Sequence, residues 1–195
     1  MLSPESVRAR KAELRTAALA RRDTLSAEAR QAAAETIAAR PLPVPVSPGT
    51  VVAGFSAIRS EINPVPLLRR FAEAGTILAL PAIMGRGQPL RFRAFRFGEE
   101  LARGQWGIRE PKPEAPEVRP DIVIVPLAAF DRRGYRLGYG AGYYDLTLNG
   151  LRAEKTIKAV GLAFAAQEID QVPALSHDAR LDLVLTEHEV IDCGA

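Results

Sequence analysis

From residue 50 onward, short apolar runs alternate with segments of helical period, and this alternation constrains the fold more than any other feature. Val51–Phe55, Thr76–Leu80 and Asp121–Val125 are short and apolar throughout, the pattern of strands covered on both faces. Leu90–Phe95 alternates strictly, as a half-buried strand does, and Ile157–Ala163 and Leu181–Thr186 are two further strands. Between them, Asn63 caps a helix that begins at Pro64, buries Val65, Leu68 and Phe71, and stops at Gly75. Ala141–Asn149 forms another helix, ended by Gly150. Strands alternating with helices predict an α/β fold: a three-layer αβα sandwich around a mainly parallel sheet. In such sheets ligands bind beyond the carboxyl ends of the strands.

Two helices precede this region. Ser3 caps the first, over residues 3–20, with Pro4 at its first position and Glu5 complementing its dipole. Ser26 opens an Ala-rich second helix to about Arg40. The stretch Pro41–Gly49 carries four prolines and is neither helix nor central strand. It is a connector within one domain spanning 1–195, because the helices of 3–40 are too few to form a core of their own.

Composition narrows the chemistry. One cysteine, Cys193, excludes an internal disulfide and a cysteine-rich zinc cluster, and two histidines, His177 and His188, exclude a histidine-rich metal site. No apolar run reaches the roughly 18 residues of a membrane span. The N-terminus lacks the apolar region of a secretory signal, and Glu5, Glu13, Asp23 and Glu28 argue against a transit peptide, so a cytoplasmic location is expected. A net charge of +3 suits an anionic ligand and is too small to argue for nucleic acid.

The most informative stretch runs from Asp131 to Asp145. Gly138, Gly140 and Gly142 alternate and lead into a helix, so backbone N–H groups converge where a helix N-terminus adds positive potential. With Arg132, Arg133 and Arg136 these glycines make a phosphate cradle, although a glycine turn packed by Tyr143 and Tyr144 is the plainer alternative. No Lys-Ser/Thr follows, so this is not a Walker A loop, and Tyr143 occupies the place of a third Rossmann glycine.

The run Val125–Asp131, followed by Arg136-Leu137-Gly138-Tyr139-Gly140-Ala141-Gly142-Tyr143-Tyr144-Asp145, closely resembles the signature of the 5-formyltetrahydrofolate cyclo-ligase family. The resemblance extends to Lys11 and Arg15, Glu61-Ile62, Leu80-Pro81, Trp106–Pro111, Gly161–Phe164 with Gln167, and His177-Asp178. It implies a sandwich similar to those of sugar-phosphate isomerases and CoA transferases. It further implies ATP- and Mg²⁺-dependent closure of 5-formyltetrahydrofolate to 5,10-methenyltetrahydrofolate. A monomer acting on these small molecules, with no nucleic-acid or membrane partner, is expected.

By the same resemblance, Lys11, Arg15 and the loop residues Arg136, Leu137, Gly138, Tyr139, Gly140, Ala141, Gly142, Tyr143 and Tyr144 hold ATP. Ser56, Glu61, Trp106, Tyr139 and Tyr143 hold the folate, with Arg136, Tyr139 and Tyr143 at the reacting groups, and Asp145 and Asp178 hold the metal. Read as residues alone, several of these keep a second meaning. Lys11 and Arg15, four apart, are also an ordinary solvated basic face. Asp145 also complements a helix dipole, Glu61 also begins a helix, and Trp106 also anchors a lid. Arg91–Phe97 interleaves basic and aromatic residues, which fits RNA binding, but its alternation fits a strand better, with Phe92 at the folate pocket. The chain departs from the family in having Leu146 after the Tyr-Tyr-Asp run and Tyr139 and Ala141 where a basic loop residue is common. This puts phosphate neutralisation on Arg132, Arg133 or Arg136.

Overall fold

The computed structural model describes residues 3–41 and 44–194. Of the connector 41–49, Leu42 and Pro43 lie outside the described residues, and 44–49 carry neither helix nor strand. In chain order the elements are α1 (Pro4–Asp23), α2 (Ala27–Ala39), β1 (Val51–Ala53), α3 (Val65–Glu73), β2 (Ile77–Ala82), β3 (Arg91–Ala94), β4 (Ala102–Arg103) and β5 (Arg109–Glu110). They continue with β6 (Glu117–Val118), β7 (Ile122–Pro126), β8 (Ala129–Phe130), β9 (Arg136–Leu137), α4 (Tyr143–Glu154), β10 (Lys158–Leu162), β11 (Leu183–Leu185) and β12 (Val190–Asp192).

Eight strands form the main sheet in the order β12-β11-β10-β7-β1-β2-β3-β6. The five strands from β11 to β2 are parallel, and β12, β3 and β6 add antiparallel edges. The two-residue period of the buried strands produces the layers. Val52, Ile122 and Ile124 face one core with Leu67, Leu68 and Phe71 of α3 and Ile37 of α2, whereas Ala53, Val123 and Val125 face the other with Leu148 and Leu151 of α4. The result is the expected three-layer αβα sandwich. Helix α1 packs Leu14 and Ala18 against Ala129 and Leu137 of the β8–β9 hairpin, which places its face beside the glycine-rich loop. Among the described residues no helix is long and apolar enough to cross a membrane.

Two helix details differ from the sequence reading. Asn63 accepts from the Val65 backbone N–H at 3.0 Å but stands one residue before the cap, which is Pro64, and Leu67 is buried whereas Val65 is only half-buried. Helix α4 starts at Tyr143 and runs through Gly150 to Glu154. Burial of Leu148 and Leu151 outweighs the modest helix penalty of one exposed glycine, so Gly150 does not end the helix.

Candidate active site

The order of the sheet fixes where a site belongs. From β1 the chain moves outward to β2, then returns across to β7 and continues away through β10 and β11. The connections therefore diverge at the β1/β7 pair, the switch point where such sheets open a crevice. A cavity of about 520 Å³ lies there, within the usual size of a ligand site. The segment after β1 supplies Phe55, Ser56, Ile58 and Glu61; the end of β2 and the residue after it supply Pro81 and Ile83; and the segment after β7 supplies Arg136 to Asp145. Helix α1 adds Arg8, Lys11 and Arg15, and the loop before β11 adds Leu175, His177 and Asp178.

The cavity lining is of two unlike kinds. One is cationic. Arg15 donates through Nε to the Gly138 carbonyl at 2.6 Å, and partial burial lowers its pKa. Lys11 pairs with Asp178, which also accepts from the Leu175 N–H at 2.6 Å. Arg136 is almost wholly buried and donates to the Ala179 carbonyl and, at 2.8 Å, to Asp145 Oδ1. Asp145 Oδ1 also accepts from the Ala179 N–H at 3.1 Å. Gly140 and Gly142 take φ of +99° and +72°, which side chains rarely adopt, and Gly142 opens α4.

The other is apolar, made by Phe55, Ile58, Pro81, Ile83, Leu90 and Ile108, with one carboxylate among them. Glu61 accepts from the Ile58 N–H at 2.8 Å, and the Tyr139 phenol is a near neighbour. Burial raises the Glu61 pKa above the ordinary glutamate value, opposed by the Ile58 N–H, the nearby Tyr139 hydroxyl and the charges of Arg22 and Arg59. Burial and the nearby Glu61 charge push the phenols of Tyr139 and Tyr144 upward, so both stay protonated.

Nearly all the sequence-derived site residues line this one cavity: Lys11, Arg15, Ser56, Glu61, the whole run from Arg136 to Asp145, and Asp178. Trp106 does not line it. It sits at the rim, 71% exposed, with its ring centroid 6.1 Å from that of Tyr143. Three expectations need correction. Arg132 is held by Glu168 and Glu189 on the surface, and Arg133 by Asp131, so neither reaches the cavity and Arg136 alone of the three does. Phe92 points into the core beneath α4, and Leu90 lines the cavity in its place. The arginines of β3 are engaged otherwise than in a nucleic-acid face, Arg91 with Glu117 and Arg93 with the Pro111 carbonyl.

Sequence reading missed Arg8 and Arg22, which share the face of α1 that carries Lys11, Ala18 and Arg15. Spacings of three, four, three and four from residue 8 to residue 22 were the available signal. Ala18, fully buried at the centre of that stripe, lets the helix approach closely.

The chain matches the sequence profile of the 5-formyltetrahydrofolate cyclo-ligase family over residues 7–187. It belongs to that family of enzymes. It is 33% identical over 193 residues to the 5-formyltetrahydrofolate cyclo-ligase of Mycolicibacterium smegmatis, with 95% of each chain covered. It is also 33% identical over 177 residues to that of Escherichia coli K12, with 87% of this chain and 96% of the relative covered. The solution structure of Aquifex aeolicus 5,10-methenyltetrahydrofolate synthetase superimposes with a TM-score of 0.77 at 30% identity, over 95% of this chain and 93% of that one. A synthetase from Mycoplasma pneumoniae shares the fold with a TM-score of 0.70 at 21% identity.

Proposed function

We propose that this cavity closes 5-formyltetrahydrofolate to 5,10-methenyltetrahydrofolate at the expense of ATP, with the folate on the apolar lining and the triphosphate on the cationic one. The observation that carries the reading is that one cavity at the β1/β7 switch point is lined both by cationic side chains with a glycine-rich loop and by apolar side chains with one carboxylate. The N5 formyl group is an amide, so its carbon is a poor electrophile and its oxygen leaves poorly. Transfer of the ATP γ-phosphoryl to that oxygen releases ADP and makes the carbon iminium-like. N10 then attacks the carbon, its proton is shed, and phosphate departs with the former formyl oxygen. Such chemistry asks the protein for positioning and charge stabilisation.

Arg8, Lys11, Arg15 and Arg136 neutralise phosphate charge, while the glycine run presents backbone to it. Glu61 accepts hydrogen bonds from the amino-pyrimidine edge of the pterin, and Ser56 lies beside it on the same segment. Tyr139 and Tyr143 line the same cavity and serve the reacting groups, with Trp106 beside Tyr143. Asp145 and Asp178 fit a magnesium ion of the kind that is bound by one or two carboxylates and completed by phosphate oxygens and water. No larger cage of His, Cys, Asp or Glu gathers among the described residues. Bound there, the ion supplies charge neutralisation for the phosphates. The proposed enzyme is a cytoplasmic monomer with small-molecule partners only. Incubation with 5-formyltetrahydrofolate, ATP and Mg²⁺ should give the absorbance of the methenyl product in step with ADP. Absence of ATP-dependent product refutes the proposal.

A further inference from the structure

Among the described residues Arg22 is the largest fully buried side chain, and its exposure is 1%. Its hydrogen bonds go to two hydroxyls and not to a carboxylate: Nε to Ser60 Oγ at 3.0 Å and Nη1 to the Tyr139 hydroxyl at 2.6 Å. A buried guanidinium is costly, and an arrangement that serves stability alone would set a carboxylate directly against it. Here the negative charges stand one group away. Ser60 donates to Asp23, and Glu61 is the residue after Ser60 and lies near the Tyr139 phenol.

We infer that Arg22 is a positioning residue for the folate end of the cavity: it clamps Tyr139 of the glycine-rich loop and Ser60, the residue before Glu61, and so fixes the Glu61 carboxylate where the pterin must meet it. The geometry explains why a clamp is needed. Tyr139 lies between Gly138 and Gly140, it is 37% exposed, and little but its hydroxyl ties it down. Arg22 reaches it from a different element, and the same guanidinium holds Ser60, the residue before Glu61. One side chain of α1 thus joins the glycine-rich loop to the segment after β1, two parts of the chain that both line the cavity. The planar fork of arginine can hold both hydroxyls at fixed angles, which a lysine ammonium cannot.

The inference also has an electrostatic side. The groups facing Glu61 are Arg22 from α1, Arg59 from its own segment, Tyr139 from the glycine-rich loop and Tyr144 from α4. Of these only the two arginines carry positive charge. Removing one leaves the buried carboxylate less well supported, so it takes up a proton at higher pH.

This inference rests on the reading that Glu61 receives the folate, and its test separates the two. Binding of 5-formyltetrahydrofolate and of ATP is measured separately for the wild-type enzyme, Arg22→Gln and Arg22→Lys, together with the pH profile of kcat/KM for the folate. Arg22→Gln should lose about tenfold in folate affinity, the scale of one charge-assisted hydrogen bond, with ATP affinity unchanged and the acid limb moved to higher pH. Arg22→Lys should keep the acid limb near its wild-type place while still losing folate affinity. A purely structural arginine would lower Tm and scale both affinities together. Should Arg22→Gln fail to fold, Ser60→Ala removes the other clamped hydroxyl at a residue that does not line the cavity, and should show the same selective loss. Wild-type folate binding with no selective loss in any variant overturns the inference alone. A wild-type enzyme that binds no 5-formyltetrahydrofolate overturns the functional reading as well.

Discussion

Replacement of Asp145 by Asn separates the metal role of this residue from its structural one. On helix position alone the change should be nearly silent for stability, because Asn still caps and packs at a helix start. The structure predicts otherwise. Asp145 Oδ1 accepts from Arg136 at 2.8 Å and from the Ala179 N–H at 3.1 Å, and the Arg136 side chain is only 4% exposed. An Asn carbonyl can keep both bonds, so the loss is the difference between a charge-assisted and a neutral hydrogen bond, about 1–2 kcal/mol. The larger cost of about 3–5 kcal/mol for breaking a fully buried pair does not apply, since the Asp145 side chain is 28% exposed. For a chain of this length the change corresponds to a fall in Tm of about 2–8 °C. The variant should also need about tenfold more Mg²⁺ for half-maximal turnover, the equivalent of ~1.4 kcal/mol lost at the ion. Thermal melts with magnesium titrations of turnover check both parts. Wild-type Tm would refute the pairing argument, and normal turnover at low Mg²⁺ would place the metal on other groups.

Three more outcomes are expected. Glu61→Gln should weaken folate binding far more than ATP binding. Because burial raises the Glu61 pKa, the wild type loses stability as pH rises from 4.5 through the folded value, so Tm of the variant minus that of the wild type should grow across that window in paired melts. Gly150→Ala should raise stability by about 1 kcal/mol, or about 2–4 °C in Tm, because the site is helical and a Cβ there meets nothing within 4 Å. Trp106 is the sole tryptophan and packs near Tyr143, so its fluorescence should respond to 5-formyltetrahydrofolate, and Trp106→Phe should raise KM for the folate several-fold, about 1 kcal/mol, with kcat little changed.

The layered fold was readable because the buried strands announce themselves. Val51–Ala53 and Ile122–Pro126 are apolar at every position, since both faces are covered, and α3 shows its start and apolar stripe directly. The extent of α4 was not readable, because Gly150 is a local stop signal that the packing of Leu148 and Leu151 overrides. The glycine loop was found by pattern, Glu61, Asp145 and Asp178 came with the family resemblance, and all of them line one cavity. Arg132 and Arg133 could not be told from Arg136 by sequence. All three lie in one charged stretch, and only the β8–β9 hairpin turns Arg136 inward while the turn between its strands presents the other two to Glu168, Glu189 and Asp131. Arg22 was hidden for a similar reason. Beside Arg21 and Asp23 it reads as helix-end charge, and its burial follows from where α1 lies against the hairpin and the segment after β1.

The fate of the formyl oxygen tests the central claim most directly. 5-Formyltetrahydrofolate labelled with ¹⁸O in the formyl group is turned over with ATP, and the released phosphate is analysed by mass. Phosphorylation of the formyl oxygen predicts one ¹⁸O in each phosphate formed. Unlabelled phosphate, with the isotope recovered in water, would contradict the account.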